Sequence, residues 1–253
     1  MRVFITGASS GIGEALARHY AAADSEIGLA ARRQDLLEIL AATLPGRTSI
    51  YPVDVADTAA LEKAAAGFIA QHGAPDIVIA NAGISVGTSG DDIADVAKLQ
   101  RVLSVNVSGM AATLAVFAPA MKKAGRGTLV GISSVAGFRG LPGSGAYSAS
   151  KAAATTWLES LRVELASSGV SVVTICPGFI DTPMTQVNQY RMPFILSSQE
   201  AARRFARAIA SKRRLAVIPW QMAIVGSFLR ALPAWAYDAL MRRAPRKPRN
   251  LPL

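Results

Sequence analysis

Three closely spaced glycines near the N-terminus constrain the fold of this chain more than any other feature. A short apolar strand, Val-Phe-Ile at residues 3–5, leads into Gly7, Gly11 and Gly13, and an Ala-rich helical pattern follows. Such a strand, turn and helix form a pyrophosphate site, because glycine lets the backbone approach the anion and the helix N-terminus offers free N–H groups. The spacing Gly-x-x-x-Gly-x-Gly differs from the commonest dinucleotide fingerprint, so a purely structural turn is the alternative.

The rest of the chain alternates short Val- and Ile-rich runs with longer Ala- and Leu-rich helical patterns. This alternation predicts a single α/β domain, a doubly wound parallel sheet with helices on both faces. We assign residues 1–218 to this Rossmann-like domain and residues 219–253 to a basic, apolar C-terminal extension. The predicted strands are residues 2–6, 26–31, 48–53, 76–80, 127–133, 170–176 and 215–218.

Tyr147 and Lys151 form a second motif, four residues apart, with Ser134 thirteen residues upstream of the tyrosine. Four residues are about one helical turn, so the phenol and the ammonium share one helix face. The ammonium favours the phenolate and so lowers a tyrosine pKa that is ordinarily about 10. A serine hydroxyl beside them can position a carbonyl oxygen. On its own, the pair is also explained by a packed tyrosine and a solvated lysine.

Together, and in this order, these motifs resemble those of the short-chain dehydrogenase/reductase family over residues 1 to 220. Asn81-Ala82-Gly83 after the fourth predicted strand, and Pro177-Gly178 with Thr182 after the sixth, complete the set. The resemblance implies a nicotinamide-dependent oxidoreductase that interconverts a ketone or aldehyde and an alcohol by hydride transfer. In this family, helices matching Lys98–Lys122 and Ala146 to Ser168 build the dimer interface, which implies a homodimer or a homotetramer.

The resemblance also assigns the catalytic residues. Tyr147 would be the general acid in reduction and the base in oxidation, and Lys151 would lower its pKa and bind the nicotinamide ribose. Ser134, rather than Ser133, holds the family's serine position. Asn106 matches an asparagine that holds a water relaying protons to the lysine. A local hydrogen bond inside a helix is its alternative role.

The cofactor is expected to contact a larger set of residues. By resemblance, Asp54 would contact the adenine amine, with capping of the helix that starts near Asp57 as its competing role. Thr182 would bind the carboxamide. The expected cofactor-binding residues are Thr6, Gly7, Ser9, Ser10, Gly11, Ile12, Gly13, Arg32, Arg33, Asp54, Val55, Asn81, Ala82, Gly83, Tyr147, Lys151, Pro177, Gly178, Ile180 and Thr182.

The choice between NAD and NADP depends on the end of the second strand. An acidic residue about 20 positions past the glycine turn binds the ribose 2′-OH of NAD, but Ala31, Arg32 and Arg33 occupy that place here. Two guanidiniums can bind a 2′-phosphate in a fork, so we expect NADP, held chiefly by Arg32. A solvated basic pair near Asp35 and Glu38 is the alternative.

Positive charge is concentrated at the C-terminal end of the chain. The formal net charge is +10, and twelve of the 27 Lys and Arg residues lie within residues 201–253, where Asp238 is the only acid. Aromatic and apolar runs share this region, which is typical of a segment on an anionic membrane surface. Packing over the substrate cleft or against a second subunit is an equal alternative. The longest apolar run, Leu215 to Leu229, is shorter than the ~20 residues that a spanning helix needs. No reader motif supports nucleic-acid binding.

Residues 183–196, which by the resemblance close over the substrate, are rich in Met, Tyr, Phe and Leu. This composition favours an apolar carbonyl or alcohol, such as a keto-lipid, a steroid-like compound or a long-chain carbonyl. The rival hypothesis is a catalytically idle dinucleotide-binding or scaffold protein of the same fold. A scaffold would need none of Ser134, Tyr147, Lys151 and Asn106 together, which argues against it.

The remaining chemistry-bearing residues are few. His19 and His72 are isolated, and the single cysteine, Cys176, ends a buried strand, so we expect no metal site and no internal disulfide. The chain begins directly in its first strand, so we expect no signal or transit peptide and a cytoplasmic location.

Overall fold

The computed structural model describes residues 1–22 and 24–251, which form a doubly wound α/β architecture. Its strands are β1 (Arg2–Thr6), β2 (Glu26–Ala31), β3 (Arg47–Pro52), β4 (Ile77–Ala80), β5 (Gly127–Ile132), β6 (Val170–Pro177), β7 (Ile180–Asp181), β8 (Leu196–Ser197) and β9 (Leu215–Ile218). One parallel sheet has the order β3-β2-β1-β4-β5-β6-β9, and β7 pairs with β8 separately. The expected fold class is confirmed, and each strand of the main sheet lies within one residue of its predicted bounds.

Helices cover both faces of the main sheet. They are α1 (Gly11–Tyr20), α2 (Gln34–Ala42), α3 (Thr58–His72), α4 (Asp95–Leu103), α5 (Met110–Ala124), α6 (Gly145–Glu164), α7 (Pro183–Gln186), α8 (Ser198–Ala210), α9 (Gln221–Ala231) and α10 (Ala234–Met241). Side chains alternate between the faces of a strand. Val3 and Ile5 therefore pack with α1, α2 and α8, whereas Phe4 packs with α3, α5 and α6.

An aromatic cluster around Phe4 packs β1, an interior strand of the sheet, against the helices on one face. The Phe4 ring lies 5.4 Å from the Phe68 ring and 4.6 Å from the Phe117 ring, measured between centroids. Gly28 on the neighbouring strand gives these rings their space, because a Cβ at that position would come within 2.5 Å of Phe4. Close packing on both faces gives the turn after β1 a rigid base.

The order of the strands places the sequence motifs at one edge. The chain passes from β1 to β2 on one side, whereas β4 pairs with β1 on the other. This reversal opens a crevice at the carboxyl ends of β1 and β4, where ligands of open α/β sheets bind. The motifs predicted from the sequence follow β1 to β6, so the parallel sheet brings them to this edge.

Helices α4 and α5 form one continuous helix, joined by a π-helical turn at Ser104–Gly109. Of the described helices, this one alone, Asp95–Ala124, has the length and mean hydropathy, 1.6, of a membrane span. Half of its most apolar window is buried, and α5 packs against β4 and β5. Core packing therefore explains much of its apolar character.

Helix α6 ends at Glu164, four residues before the expected end at Ser168. Gly169 follows in the left-handed region, with φ +77, and a Cβ there would lie 2.1 Å from the Gly125 oxygen. The Ser168 hydroxyl donates to the Leu165 oxygen at 2.7 Å. The chain is thus turned into β6 by a tight serine–glycine turn that a helical pattern does not reveal.

Arg139 binds the C-terminal helices α9 and α10 to the rest of the domain. Its guanidinium donates to the backbone oxygens of Leu229, Arg230 and Leu232, which accept at the C-terminal end of α9. It also stacks 4.2 Å from the centre of the Tyr237 ring. These contacts hold α9 and α10 close to the turn after β5, which carries Ser134.

Candidate active site

The glycine turn has a backbone that only glycine accommodates. Gly7 and Gly11 adopt positive φ angles of 68° and 59°. A Cβ on Gly13 would lie 2.1 Å from the Gly7 oxygen. Ser10 precedes α1 without making a side-chain cap, so the first N–H groups of the helix stay available. The residues present therefore fit a dinucleotide, whose pyrophosphate would be held against this helix end.

Asn81 ties the end of β4 to the glycine turn. Its side-chain Nδ2 donates to the Thr6 oxygen at 3.0 Å and to the Gly7 oxygen at 3.3 Å. The Thr6 hydroxyl accepts from the backbone N–H groups of Asn81 and Ala82. Thr6 and Asn81 thus shape the turn through contacts within the protein.

A cavity of about 350 Å³ opens at the carboxyl edge of the sheet. It runs from the glycine turn to the N-terminal part of α6. The expected site residues that line it are Gly7, Ser9, Ser10, Gly11, Ile12, Arg32, Arg33, Asp54, Val55, Asn81, Ala82, Gly83, Ser134, Tyr147, Lys151, Pro177, Gly178, Ile180 and Thr182. The structure therefore brings most of the expected set around one space.

Thr6, Gly13 and Asn106 do not line the cavity. Asn106 is fully buried at the π-helical turn; its Oδ1 accepts from the Ile84 N–H, and its Nδ2 donates to the Ile84 oxygen and the Ser150 hydroxyl. The amide therefore keeps only one acceptor lone pair free. These contacts describe a residue that positions the loop after β4, and its part in a proton relay stays a prediction.

Tyr147, Lys151 and Ser134 meet at one end of the cavity. The Lys151 Nζ is buried and donates to the Ile132 backbone oxygen at 2.8 Å. Burial lowers the Lys151 pKa to about 8. Burial also raises the Tyr147 pKa above its ordinary value, and the nearby Ser134 hydroxyl opposes this rise.

The direction of the Tyr147 shift is opposite to the one expected from the sequence. The ammonium lies 5.7 Å from the centroid of the phenol ring and is bonded to β5. Its attraction for a phenolate is therefore too weak, in the chain alone, to overcome the burial of the phenol.

The two serines after β5, Ser133 and Ser134, have different hydrogen-bond partners. The Ser133 hydroxyl donates to the Lys151 backbone oxygen at 2.9 Å and lies 2.6 Å from the Thr155 hydroxyl. Ser133 thus joins β5 to α6 beneath the lysine, a positioning role that the sequence reasoning missed. The Ser134 hydroxyl accepts from the Ala136 N–H and donates weakly, at 3.4 Å, to the Pro177 oxygen. Its orientation leaves it beside Tyr147.

The arginines after β2 lie at the opposite end of the cavity from Tyr147. Both are exposed, and within residues 1–22 and 24–251 neither is in an ion pair. The Arg33 guanidinium donates to the hydroxyls of Ser9 and Ser10 at 3.1 and 3.2 Å. Arg33, which we ranked below Arg32, is therefore the arginine that contacts the glycine turn.

Asp54 does not cap a helix. Its carboxylate accepts from the Ala56 N–H at 3.0 Å and pairs with Arg101 at 2.7 Å. These contacts hold the Asp54 pKa below its ordinary value despite partial burial. Asp57 caps α3 by accepting from the Ala60 N–H. The competing role suggested for Asp54 was wrong, because the cap lies three residues later.

The loop after β6 completes the wall of the cavity. Thr182 packs against the glycine turn, since a Cβ on Gly11 would lie 3.1 Å from the Thr182 methyl group. The Thr182 N–H donates to the Thr185 hydroxyl at 3.1 Å, at the start of α7. Met184 and Thr185 line the cavity although we did not assign them. Thr182 and Thr185 form a capping box, but the sequence signature of that motif has Glu or Gln in place of Thr185, so the sequence offered no signal for this residue.

No cluster of three or more His, Cys, Asp or Glu side chains within the described ranges is arranged to hold a metal ion. Cys176 is buried at the end of β6, and burial raises its thiol pKa. This cysteine therefore belongs to the interior of the fold.

Comparison with known proteins identifies the family. The family model described as short chain dehydrogenase matches residues 1–192. An uncharacterized oxidoreductase of Myxococcus xanthus is 39% identical over 244 residues, which cover 94% of this chain and 95% of that protein.

Solved structures of similar fold support the same assignment. A short-chain dehydrogenase from Streptomyces avermitilis has a TM-score of 0.81 and 26% identity, covering 90% of this chain and 91% of its own. A 3-oxoacyl-[acyl-carrier protein] reductase from Brucella melitensis with bound NAD has a TM-score of 0.74 and 29% identity, covering 86% and 88%. This chain belongs to the short-chain dehydrogenase/reductase family, whose members are oxidoreductases that use nicotinamide dinucleotides.

Proposed function

We propose that this protein is an NADP(H)-dependent oxidoreductase that interconverts a lipophilic ketone or aldehyde and its alcohol, with Tyr147 as the acid/base. The observation that carries the proposal is the meeting of Ser134, Tyr147 and Lys151 at one end of the cavity whose other end is the glycine turn. When bound there, the nicotinamide supplies the hydride.

The residues of the chain supply binding and the proton. In this proposal the Ser134 hydroxyl donates a hydrogen bond to the substrate oxygen, and Tyr147 donates the proton that this oxygen needs in reduction. An ordinary tyrosine is already protonated at neutral pH, and burial raises the pKa of Tyr147 further. The protonated phenol is the form that reduction requires. The nearby buried ammonium of Lys151 would stabilise the phenolate left behind.

The preference for NADP rests on the end of β2. Arg32 and Arg33 stand where NAD-binding sheets carry an acid, and the hydroxyls of Ser9 and Ser10 face Arg33. Guanidiniums and hydroxyls together suit a phosphate. The Brucella melitensis relative holds NAD, so the NADP preference is inferred from the arginines of this chain. The test is a fluorescence titration with NADPH and NADH in parallel, followed by NADPH oxidation with carbonyls of increasing chain length. Binding of neither cofactor would favour the idle scaffold.

The lipophilic character of the substrate is supported by the segment that follows Thr182. Met184, Val187, Phe194 and Ile195 are large apolar side chains of this segment, and all four are exposed to solvent. Met184 also lines the cavity. Exposed apolar side chains beside the end of the cavity that holds Tyr147 suit an apolar substrate, which would cover them.

We also propose that α9 and α10 rest on an anionic membrane surface. Trp220, Ile224 and Phe228 recur every four residues and are 64%, 61% and 59% exposed, so they form one stripe along α9 and the residue that precedes it. Trp235 on α10 is 76% exposed. The nearby basic side chains are exposed and, within the described part of the chain, in no ion pair. They are Lys212, Arg213, Arg214, Arg230, Arg242 and Arg243.

Vesicle sedimentation separates this surface from a protein interface. The protein should sediment with vesicles containing phosphatidylserine, less with pure phosphatidylcholine, and less at high salt. Replacing Trp220 and Phe228 by alanine should weaken sedimentation. Ile39→Ala, at a 63% exposed position on α2, is the matched control. Failure of the wild type to bind any vesicle would leave contact with a second copy of the chain as the explanation of the stripe.

A homodimer through the α4–α5 helix and α6 is proposed as the assembly, and the cytoplasm, at the membrane surface, as the location. Partly buried apolar side chains on these helices, among them Ala112, Val116, Trp157 and Leu161, support such an interface. Light scattering after gel filtration distinguishes a dimer from a tetramer, and a monomer would contradict the proposal.

A further inference from the structure

The C-terminal tail, residues 245–251, folds back over the loop that follows β4. The Gly87 N–H donates to the Pro248 oxygen at 2.9 Å. Arg249 forms an ion pair with the buried Asp95 at 2.8 Å. Backbone and charged contacts thus fix the course of the tail, although it lies far in sequence from the motifs of the site.

Lys247 joins this tail to two segments that border the cavity. It is only 8% exposed, and its Nζ donates to the Ser85 hydroxyl at 3.0 Å and to the Met184 oxygen at 3.3 Å. Ile84, next to Ser85, lines the cavity, and Met184 does so itself. One ammonium therefore links the loop after β4 to the segment that closes over the substrate.

Packing alone does not explain a lysine at this position. Within residues 1–22 and 24–251, Lys247 is in no ion pair, and burial lowers its pKa to about 8. Removing a charge from water is unfavourable unless it is paired, so an apolar residue would serve a purely structural tail better. A lysine adds a long stem with three donors, which can reach two segments at once.

We propose that Lys247 is a specificity-determining residue. By holding Met184 to the loop after β4, it keeps the substrate end of the cavity narrow, so that straight-chain carbonyls enter and ring-bearing carbonyls are excluded. The inference rests on the proposed carbonyl reductase function. Met184 lines the same cavity as Tyr147, so a displacement of the segment that carries Met184 changes which substrates fit.

The test compares Lys247→Met with Lys63→Met, a control at an exposed position on α3. For each variant, kcat/KM is measured with NADPH for a straight-chain aldehyde and for a ring-bearing ketone. Lys247→Met should raise the ratio of ring-bearing to straight-chain activity by about tenfold, the size of effect that pocket contacts give. NADPH affinity should stay unchanged. Arg249→Gln, which loosens the same tail at a second anchor, should shift the ratio in the same direction.

Hydrogen–deuterium exchange of residues 183–195 provides a measurement that does not depend on turnover. Exchange there should be faster in Lys247→Met than in the wild type, and unchanged in Lys63→Met. Unchanged exchange, or unchanged selectivity in both tail variants, would overturn the role of Lys247. A wild-type protein that binds NADPH but reduces no carbonyl would instead refute the proposed function. The exchange experiment would still test whether Lys247 holds the segment that carries Met184. If Lys247→Met fails to fold, Arg249→Gln decides both outcomes.

Discussion

Lys151 holds its ammonium nitrogen 5.7 Å from the centroid of the Tyr147 ring and donates a hydrogen bond to the Ile132 backbone oxygen at 2.8 Å. In the chain alone, the charge that should assist the phenol is thus bonded to β5. Within residues 1–22 and 24–251 Lys151 is in no ion pair, and a buried ammonium that lacks a carboxylate partner is unfavourable for folding. In the proposed mechanism the same charge stabilises a phenolate that forms beside it. Lys151 is therefore expected to lower the stability of the folded chain while it supports catalysis.

Replacing Lys151 should change how the free energy of unfolding depends on pH. Because burial lowers its pKa to about 8, both the folded and the unfolded chain carry the proton below pH 8, and the folded protein bears the full cost of the buried charge. Above pH 8 Lys151 loses its proton in the folded chain but keeps it in the unfolded chain. The cost of the buried charge therefore disappears as the pH rises toward 10.5, the pKa of lysine in the unfolded chain. The wild type should gain about 3 kcal/mol over Lys151→Met between pH 8 and 10.5, since one pKa unit is about 1.4 kcal/mol.

Urea denaturation at several pH values measures this difference. Lys63→Met, at an exposed helix position, is the matched control. If the difference in free energy of unfolding between the wild type and Lys151→Met stays constant across this pH range, burial does not lower the pKa of Lys151.

Arginine replacements should separate the two cofactors. Arg32→Ala and Arg33→Ala should each weaken NADPH binding by about tenfold to a hundredfold, because a charged hydrogen bond contributes about 1.5–3 kcal/mol, and should leave NADH binding nearly unchanged. Arg33→Ala should have at least as large an effect, since Arg33 already contacts Ser9 and Ser10. Equal losses for NADPH and NADH would contradict a role in binding the 2′-phosphate.

A single added methyl group at Gly13 should disrupt the glycine turn. Its Cβ would lie 2.1 Å from the Gly7 oxygen and 2.6 Å from the Asn81 Nδ2. We expect Gly13→Ala to lower the free energy of unfolding by about 1–3 kcal/mol and to weaken both nicotinamide cofactors. Gly90→Ala is the matched control, because a Cβ there has no atom within 4 Å. Thermal unfolding and cofactor titration of the two variants check this expectation, and equal behaviour would contradict it.

The fold and the gathering of the motifs could be predicted from the sequence. β-branched runs such as Val170–Pro177 mark the strands of the sheet, and a parallel sheet places every strand end at the same edge. Residues as distant in sequence as Gly11 and Thr182 therefore meet at one cavity. The short strands β7 and β8 were missed, since two residues carry no periodicity.

Tertiary contacts determine what the sequence could not predict. The pKa of Tyr147 depends on burial and on where the Lys151 Nζ finds an acceptor, and neither is visible in a four-residue spacing. Lys247 lies in a basic tail whose composition resembles that of a solvated segment, but it is buried against Met184. No local pattern distinguishes these two environments.

In the proposed reaction, Tyr147 donates the proton to a carbonyl. The most direct test compares NADPH oxidation by a long-chain carbonyl in the wild type and in Tyr147→Phe, with NADPH binding measured by fluorescence on the same samples. We expect turnover to fall at least about a hundredfold, as for the loss of a general acid, with NADPH affinity nearly unchanged. Equal turnover in the two proteins would contradict the mechanism.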